Sequence, residues 1–320
     1  MPPETGALAS TVTETLQRSL DGLLDGSAYA LVGLGLTLTF GTLKRLNLAY
    51  GAGAMLAAYV GAWLHQRHGV PAVAVLLAVV AVATVAGLYV EWLCFAASSG
   101  SAPNASRGAG PVAGADGREV VALASSFAVW MQFEQLAVNL LPRHLNPFPS
   151  LGAQTEWTVG PLVLRPDRLV LALLAVGLTL GLARWLRGSR SGLAWRAVAD
   201  ERTAAHLVGI PVTRVQRVAF AAACALSGLA AFAVLSLDGQ VTPMFGMWVL
   251  LKGLVAAMLG GLASIPGVLW GGLLLGVVEA HAQALFGAVG REFATQALLF
   301  LVLVMPGALA GLHRGRRHGG

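Results

Sequence analysis

Long apolar segments separated by short polar ones run along almost the whole chain. Nine of these segments meet or approach the roughly 20 mostly apolar residues that a membrane-spanning helix needs. They are 20–43, 48–66, 70–96, 119–141, 168–187, 216–237, 246–264, 266–287 and 291–311. Helices are predicted for them because lipid cannot satisfy the backbone polar groups of an open strand. The pattern therefore predicts an all-α, polytopic helical membrane protein with about nine transmembrane helices, within a range of about eight to ten.

Two stretches interrupt this pattern. Residues 41–53 are polar and glycine-rich, and 238–266 contains Pro243, Gly246, Gly260, Gly261 and Pro266. Irregular backbone at membrane depth is tolerated only where protein buries it or where it lines a cavity. Either stretch is thus a candidate for an interrupted helix near a transport path, with a tight turn expected at Gly260–Gly261.

Glycines spaced four apart predict close contacts between helices, since a residue without a side chain lets two backbones approach. The pairs are Gly22/Gly26, Gly267/Gly271 and Gly272/Gly276.

Composition supports a membrane domain. Of the 320 residues, 56% are hydrophobic and 11% are charged, whereas soluble domains carry about 25% charged residues. We therefore interpret 1–320 as one transmembrane domain. The net charge of +6 does not indicate nucleic-acid binding, because the arginines cluster in short stretches between apolar segments. Cys94 and Cys224 lie in or beside apolar runs, so they predict neither a disulfide framework nor a metal site.

The basic residues predict the orientation. Positive charge is concentrated in cytoplasmic loops. Arginines cluster between the fifth and sixth segments and again after the last one, at Arg184, Arg187, Arg190, Arg196, Arg202, Arg214, Arg217, Arg314, Arg316 and Arg317. With nine spans, Lys44–Arg45 is also inside, the N-terminus is outside and the C-terminus is cytoplasmic. Residues 1–17 hold no basic residue, so no secretory signal is expected. Together with an arginine-rich, lysine-poor composition, this predicts a multi-pass protein of a bacterial plasma (inner) membrane.

Two polar stretches lie on the predicted cytoplasmic side. Residues 97–118 are rich in Gly, Ser, Ala and Pro, which is typical of a flexible linker. The second stretch is 188–215. Within it, 194–207 is good helix-forming sequence, with Gly209 as a C-cap and Pro211 just beyond. From these residues alone, an ordinary interfacial helix and a coupling helix that docks into a separate ATPase subunit remain equally open.

This second stretch resembles the cytoplasmic loop of branched-chain amino acid ABC permeases. The family pattern is Arg-Ala-x-Ala-Glu-Asp-x-x-x-Ala-x-Leu-x-Gly-Ile, which is filled here, with the acidic pair reversed, by Arg196, Ala197, Ala199, Asp200, Glu201, Ala205, Leu207, Gly209 and Ile210. Residues 22–41, 252–276 and 301–307 resemble the first span, the Gly-Gly-x-x-Ser-x-x-Gly turn and the end of the same family. Two departures stand out. Asn47-Leu48-Ala49-Tyr50-Gly51 replaces Asn-Phe-Ala-His-Gly, and the linker replaces a compact basic loop after Glu91.

The resemblance implies the membrane-spanning permease subunit of an ATP-driven ABC importer, which translocates branched-chain or related amino acids delivered by a binding protein. It implies ABC ATPase subunits, a homologous permease subunit and an extracytoplasmic substrate-binding protein as partners, with membrane lipid around the chain. It also implies ATPase coupling through Arg196, Ala199, Asp200, Glu201, Ala205, Leu207, Gly209 and Ile210. No cofactor is expected, and no enzymatic activity. The chain carries no Gly-x-x-x-x-Gly-Lys-Ser/Thr phosphate loop, so a separate chain would hydrolyse ATP.

Polar groups beside apolar stretches are the candidates for the translocation path. Hydroxyl, amide and phenol groups lie next to the irregular stretch after the first span, and further polar groups lie in the middle of the fourth: Thr37, Thr39, Asn47, Tyr50, Gln132 and Glu134. Intramembrane charges are costly and often functional. We expect Lys252 and Glu279 to form a structural pair, and Asp21 and Asp25 to lie on one face near the start of the first helix.

Two other classes of function are weighed. An intramembrane serine protease needs a serine and a histidine on facing spans, and the Ser99-Gly100 dipeptide that resembles a nucleophile motif lies in the linker. An ATP-independent carrier or channel for small polar solutes is the stronger alternative. It has no need of an ATPase-docking helix, so the 188–215 stretch favours the permease.

Overall fold

The computed structural model describes residues 3–43, 47–95, 115–141, 146–150, 157–159, 162–262 and 264–317. Side chains are described over 12–41, 47–94, 120–141, 146–150, 163–262 and 264–304. The predicted cytoplasmic pair Lys44–Arg45 and residues 97–114 of the predicted linker lie outside the described residues. Residues 115–118 belong to the start of a helix rather than to a linker.

Helices make up most of the described chain. They are α1 (Pro3–Leu43), α2 (Ala49–His68), α3 (Ala72–Val90), α4 (Ala115–Leu140), α5 (Pro166–Gly188), α6 (Arg190–Asp200), α7 (Arg202–Leu207), α8 (Val212–Asp238), α9 (Phe245–Gly260) and α10 (Ile265–Arg317), with a π-helical turn at Glu91–Phe95. The short strands are β1 (Asn146–Pro147), β2 (Trp157–Val159), β3 (Leu162–Leu164) and β4 (Gln240–Val241). β1 pairs antiparallel with β4, and β2 with β3.

Six of the described segments are long and apolar enough to cross a membrane: Val12–Gly41, Ala72–Cys94, Val120–Leu140, Pro166–Gly188, Val212–Asp238 and Ile265–Val304. The last of these is two helices, because α10 leaves helical geometry at Gly287, where φ is 71° and ψ is −163°. The break predicted between the eighth and ninth spans lies at this glycine. α9 has only 16 residues, about 24 Å of helix. The all-α polytopic membrane architecture is confirmed, and the number of spans stays a prediction.

The pairs Gly22/Gly26 and Gly272/Gly276 lie where α1 crosses the first arm of α10, the part before Gly287, and the pair Gly267/Gly271 lies where this arm packs on α9. A Cβ atom on Gly26 would be 2.5 Å from the Gly272 carbonyl oxygen, and one on Gly276 would be 2.1 Å from that of Gly22. Gly271 contacts the α9 backbone in the same way, at the Ala256 carbonyl. Backbones this close leave no room for any side chain. The predicted contacts are therefore present, and they centre the core on α1.

Of two further predictions about the helices, one is wrong and one is confirmed. α1 begins at Pro3, so Asp21 and Asp25 lie in the middle of a long helix and not near its start. The predicted turn at Gly260–Gly261 is present, with Gly261 at φ 86° and its carbonyl accepting from Ser264 N at 2.9 Å.

Exposed apolar side chains cover the outer faces of α3, α4, α5 and α10. They include Leu77, Phe127, Leu173 and Phe300, each more than half exposed. Exposed apolar side chains in this number are suited to lipid or to another membrane chain.

Candidate functional site

The predicted coupling segment forms two short helices rather than one. The structure corrects the single helix expected over 194–207, because α6 ends at Asp200 and α7 begins at Arg202. Glu201 has extended backbone between them (φ −146°, ψ 108°), and its carboxylate accepts from Thr203 N at 3.4 Å. Ser189 caps α6 by accepting from Gly192 N at 2.9 Å. Both breaks are thus stabilised by side-chain caps.

The predicted coupling residues divide between the two faces of this pair. Ala199 and Ala205 are buried against the rest of the molecule, and Ile210 is half-buried. The others are exposed: Arg196, Asp200, Glu201, Leu207 and Gly209. Leu207 is 81% exposed and the neighbouring Val208 is 75% exposed. The result is an outward surface with an apolar tip beside charged residues of both signs.

Gly209 follows the end of α7, as expected. It adopts φ 83° after α7, a conformation that favours glycine. Gly209 N donates to the His206 carbonyl and Ile210 N to the Ala205 carbonyl, each at 3.0 Å. The predicted helix end at Gly209 is confirmed.

Trp195 fastens α6 to the end of α1. A Cβ atom on Gly41 would be 2.8 Å from two ring atoms of Trp195, and the ring is buried in the core. Gly41 lies about half a turn beyond Thr39. A displacement of α6 therefore reaches the part of α1 that carries the candidate path residues.

The structure buries four of the candidate path residues and exposes another. Thr37, Thr39, Asn47 and Tyr50 are each at most 3% exposed. Tyr50 Oη donates to the Val32 carbonyl at 3.1 Å, and Asn47 Oδ1 accepts from Ala49 N at 3.0 Å. The Tyr50 bond holds α2 against α1, and the Asn47 bond is local to the start of α2. Thr39 Oγ1 donates within α1, to the Leu36 carbonyl at 2.9 Å.

Thr37 differs from these neighbours. Among the described residues, its buried hydroxyl has no hydrogen-bond partner. The two candidates on α4 lie elsewhere. Gln132 is exposed, and Glu134 is half-buried and accepts from Trp130 Nε1 at 3.1 Å. The assignment of the path stays a prediction.

A buried polar network centres on Glu279. Its carboxylate accepts from Tyr29 Oη at 2.7 Å and from Arg291 Nε at 3.1 Å. It also accepts from Lys252 Nζ and Thr295 Oγ1. The expected Lys252–Glu279 pair is present, and each of the two residues is 1% exposed. The network ties α1, α9 and both arms of α10 together.

The network continues toward the start of α5. Arg291 Nη2 lies 3.8 Å from Asp25 Oδ2, and Arg168 Nη1 lies 3.1 Å from Asp25 Oδ1. Arg168 also approaches Asp21 at 4.0 Å. The two aspartates predicted to share one face of α1 therefore share one arginine.

Sequence reasoning missed most of this network. It found Lys252 and Glu279 as intramembrane charges, but it did not connect Arg291, Arg168 or Tyr29 to them. Arg291 follows the break at Gly287, so only the fold-back of α10 brings it to Glu279. The one available signal is a charged residue beside a helix-breaking glycine.

Among the described residues, no group of three or more His, Cys, Asp or Glu side chains is placed to hold a metal ion. Cys94 and Cys224 are buried and free.

Comparisons with known proteins agree with this architecture. The family described as the permease component of branched-chain amino acid transport systems matches residues 19–102 and 104–309. The high-affinity branched-chain amino acid transport system permease protein LivH of Salmonella typhimurium is 29% identical over 314 residues, which cover 92% of this chain and 95% of that protein. LivH of Escherichia coli K12 gives the same identity and coverage. BraD of Pseudomonas aeruginosa, a permease protein of the same kind of system, is 27% identical over 301 residues, or 90% and 93% of the two chains. No solved structure matches the chain.

Proposed function

This chain belongs to the family of branched-chain amino acid transport permease components, and from that premise we propose that it is the membrane-spanning subunit of an ATP-driven ABC importer. It carries branched-chain or related amino acids that a binding protein delivers. The single observation that supports ATP coupling is the exposed face of α6 and α7, which is anchored through Trp195 to α1.

The surface of α6 and α7 suits a protein partner. Leu207 and Val208 are exposed at the end of α7, and Arg196, Asp200 and Glu201 are exposed earlier on the same pair of helices. An apolar centre with a charged rim is the usual anatomy of an interface. We assign this face to a separate ABC ATPase subunit, which supplies the ATP hydrolysis.

The orientation follows from the same assignment. Because α6 and α7 face the ATPase, they lie in the cytoplasm of a bacterial inner membrane, and the opposite ends of α5 and α8 face outward. A homologous permease subunit completes the pathway, and an extracytoplasmic binding protein docks on the outer face. The buried hydroxyl of Thr37, which has no hydrogen-bond partner among the described residues, supports a path beside α1, since such a group calls for an explanation.

The test is leucine uptake into proteoliposomes that hold this chain together with candidate ATPase and permease partners, with ATP in the lumen and the binding protein in the bath. We expect uptake against a gradient only when ATP, ATPase and binding protein are all present. Equilibration of leucine by this chain alone, unaffected by ATP, would instead establish the carrier alternative.

A further inference from the structure

A cleft opens where the end of α8, strand β4 and the start of α9 meet. Its volume is about 430 Å³, and its walls include Leu235, Asp238, Gln240, Thr242, Phe245 and Trp248. Small-molecule sites usually measure about 300–1,000 Å³. We propose that this cleft is an outward-facing binding site for the free amino acid as a zwitterion. The inference rests on the proposed function and names where its substrate first binds.

Asp238 provides the group that would hold the ammonium. Arg168 and Arg291 both lie beside Asp25, and Asp238 forms no ion pair among the described residues. Asp238 lines the cleft. A carboxylate in this situation attracts a cationic ligand and holds it by a charge-assisted hydrogen bond.

The apolar wall would take the aliphatic side chain. Phe245 and Trp248 are stacked, with ring centroids 5.8 Å apart and planes inclined by 16°. Trp248 in turn packs edge-on against Tyr29, with ring centroids 5.5 Å apart. Tyr29 is hydrogen-bonded to Glu279, so the Glu279 network holds Trp248 in position. Leu235, buried at the end of α8, completes it. A branched aliphatic group gains by burial against such a surface.

The first turn of α9 would face the carboxylate. No side chain caps this turn, and it contains no acidic residue. The first amides of a helix carry partial positive charge and favour anions. The two charged ends of one amino acid would thus meet groups of opposite sign on two walls of the same cleft.

The place of the cleft in the fold suits substrate entry. α8 runs from α7 to the cleft over 27 residues, about 40 Å of helix. The cleft therefore lies at the opposite end of the molecule from the proposed ATPase surface. In the proposed orientation it opens outward, where a binding protein releases its ligand.

The test uses protection of a thiol in right-side-out membrane vesicles that contain the whole chain with its partners. Cys94 and Cys224 are buried, so a Thr242→Cys change adds the accessible thiol. It is labelled with a membrane-impermeant methanethiosulfonate. We expect L-leucine at ten times its apparent Kd to slow labelling about tenfold, because the bound ligand shields the thiol in proportion to occupancy. Isopentylamine and 4-methylpentanoate, which are leucine without its carboxylate and without its ammonium group respectively, should protect less than about twofold.

Two variants make the outcome decisive. Adding Asp238→Asn should abolish protection by leucine, whereas a thiol placed at Val163, on strand β3 outside the cleft, should label equally with and without it. Unchanged labelling in leucine, equal protection by 4-methylpentanoate, or protection that survives Asp238→Asn would each overturn the inference. ATP-driven uptake is measured in the same vesicles. Uptake without protection refutes the cleft alone, and protection without ATP-driven uptake refutes the importer.

Discussion

Replacing Glu279 with Gln is expected to lower the free energy of unfolding by about 3–5 kcal/mol, the usual cost of breaking a buried ion pair. Glu279 is the acceptor for both Lys252 and Arg291. Without its charge, Lys252 remains in a site that is 1% exposed, and the two cations lose the anion between them. The measurement is the thermal unfolding of the detergent-purified chain, followed by size-exclusion chromatography after heating.

Glu14→Gln is the matched control for this prediction. Glu14 pairs with Arg18 on an exposed face of α1, where its side chain is 67% exposed, so its loss should cost less than about 0.5 kcal/mol. Combining Lys252→Met with Glu279→Gln should recover part of the stability, because the buried lysine is removed together with its partner. Equal unfolding temperatures for the Glu279→Gln and Glu14→Gln chains would show that the network does not stabilise the fold.

A Gly41→Val change is expected to reduce ATP-driven uptake about tenfold while leaving membrane insertion intact. The new side chain would overlap two ring atoms of Trp195, which lie 2.8 Å from the Cβ position alone. Trp195 must then leave its pocket, and α6 loses its attachment to α1. Coupling between distant sites typically carries 1–3 kcal/mol, so a tenfold loss corresponds to one such coupling. Uptake and ATPase stimulation are measured on reconstituted complexes.

The control for this variant is Gly181→Val in α5, because no atom lies within 4 Å of a Cβ built at Gly181. It introduces the same side chain in a spanning helix without touching the coupling segment. Comparable losses in the two variants, or full uptake in Gly41→Val, would refute transmission through Trp195.

The sequence predicted those parts of the fold that depend on local pattern. The apolar run expected at 168–187 is α5, Pro166–Gly188, and the run at 216–237 lies within α8, Val212–Asp238. Lipid imposes a length and a polarity on each span, so these signals are strong. The glycine pairs were also informative, because a spacing of four places small residues on one helix face.

Local pattern failed where helices continue or break for reasons other than hydropathy. α1 extends back to Pro3 through a polar stretch rich in Ser and Thr that does not suit a bilayer core. The break at Glu201 occurs inside a run of good helix formers, and it depends on a side-chain cap that propensity does not reveal.

The functional site was predictable only in part. The coupling residues were found through a family pattern, and the structure adds which of them are exposed. The Glu279 network could not be derived, because Tyr29 and Glu279 are 250 residues apart. The cleft at Asp238 forms where the end of α8, the short strand β4 and the start of α9 meet. No spacing rule in the sequence predicts the volume of such a cleft.

The most direct test of the account is ATPase stimulation in the assembled complex after reversing the charges at Asp200 and Glu201. Both side chains are exposed on the face assigned to the ATPase. With Asp200→Lys and Glu201→Lys together, we predict that delivered leucine no longer stimulates ATP hydrolysis and that the ATPase no longer copurifies, although the chain still inserts into the membrane. Glu14→Lys, a charge reversal on the opposite end of the molecule, should leave both unchanged. Full stimulation and copurification in the Asp200/Glu201 variant would contradict the claim that this chain is driven by ATP through α6 and α7.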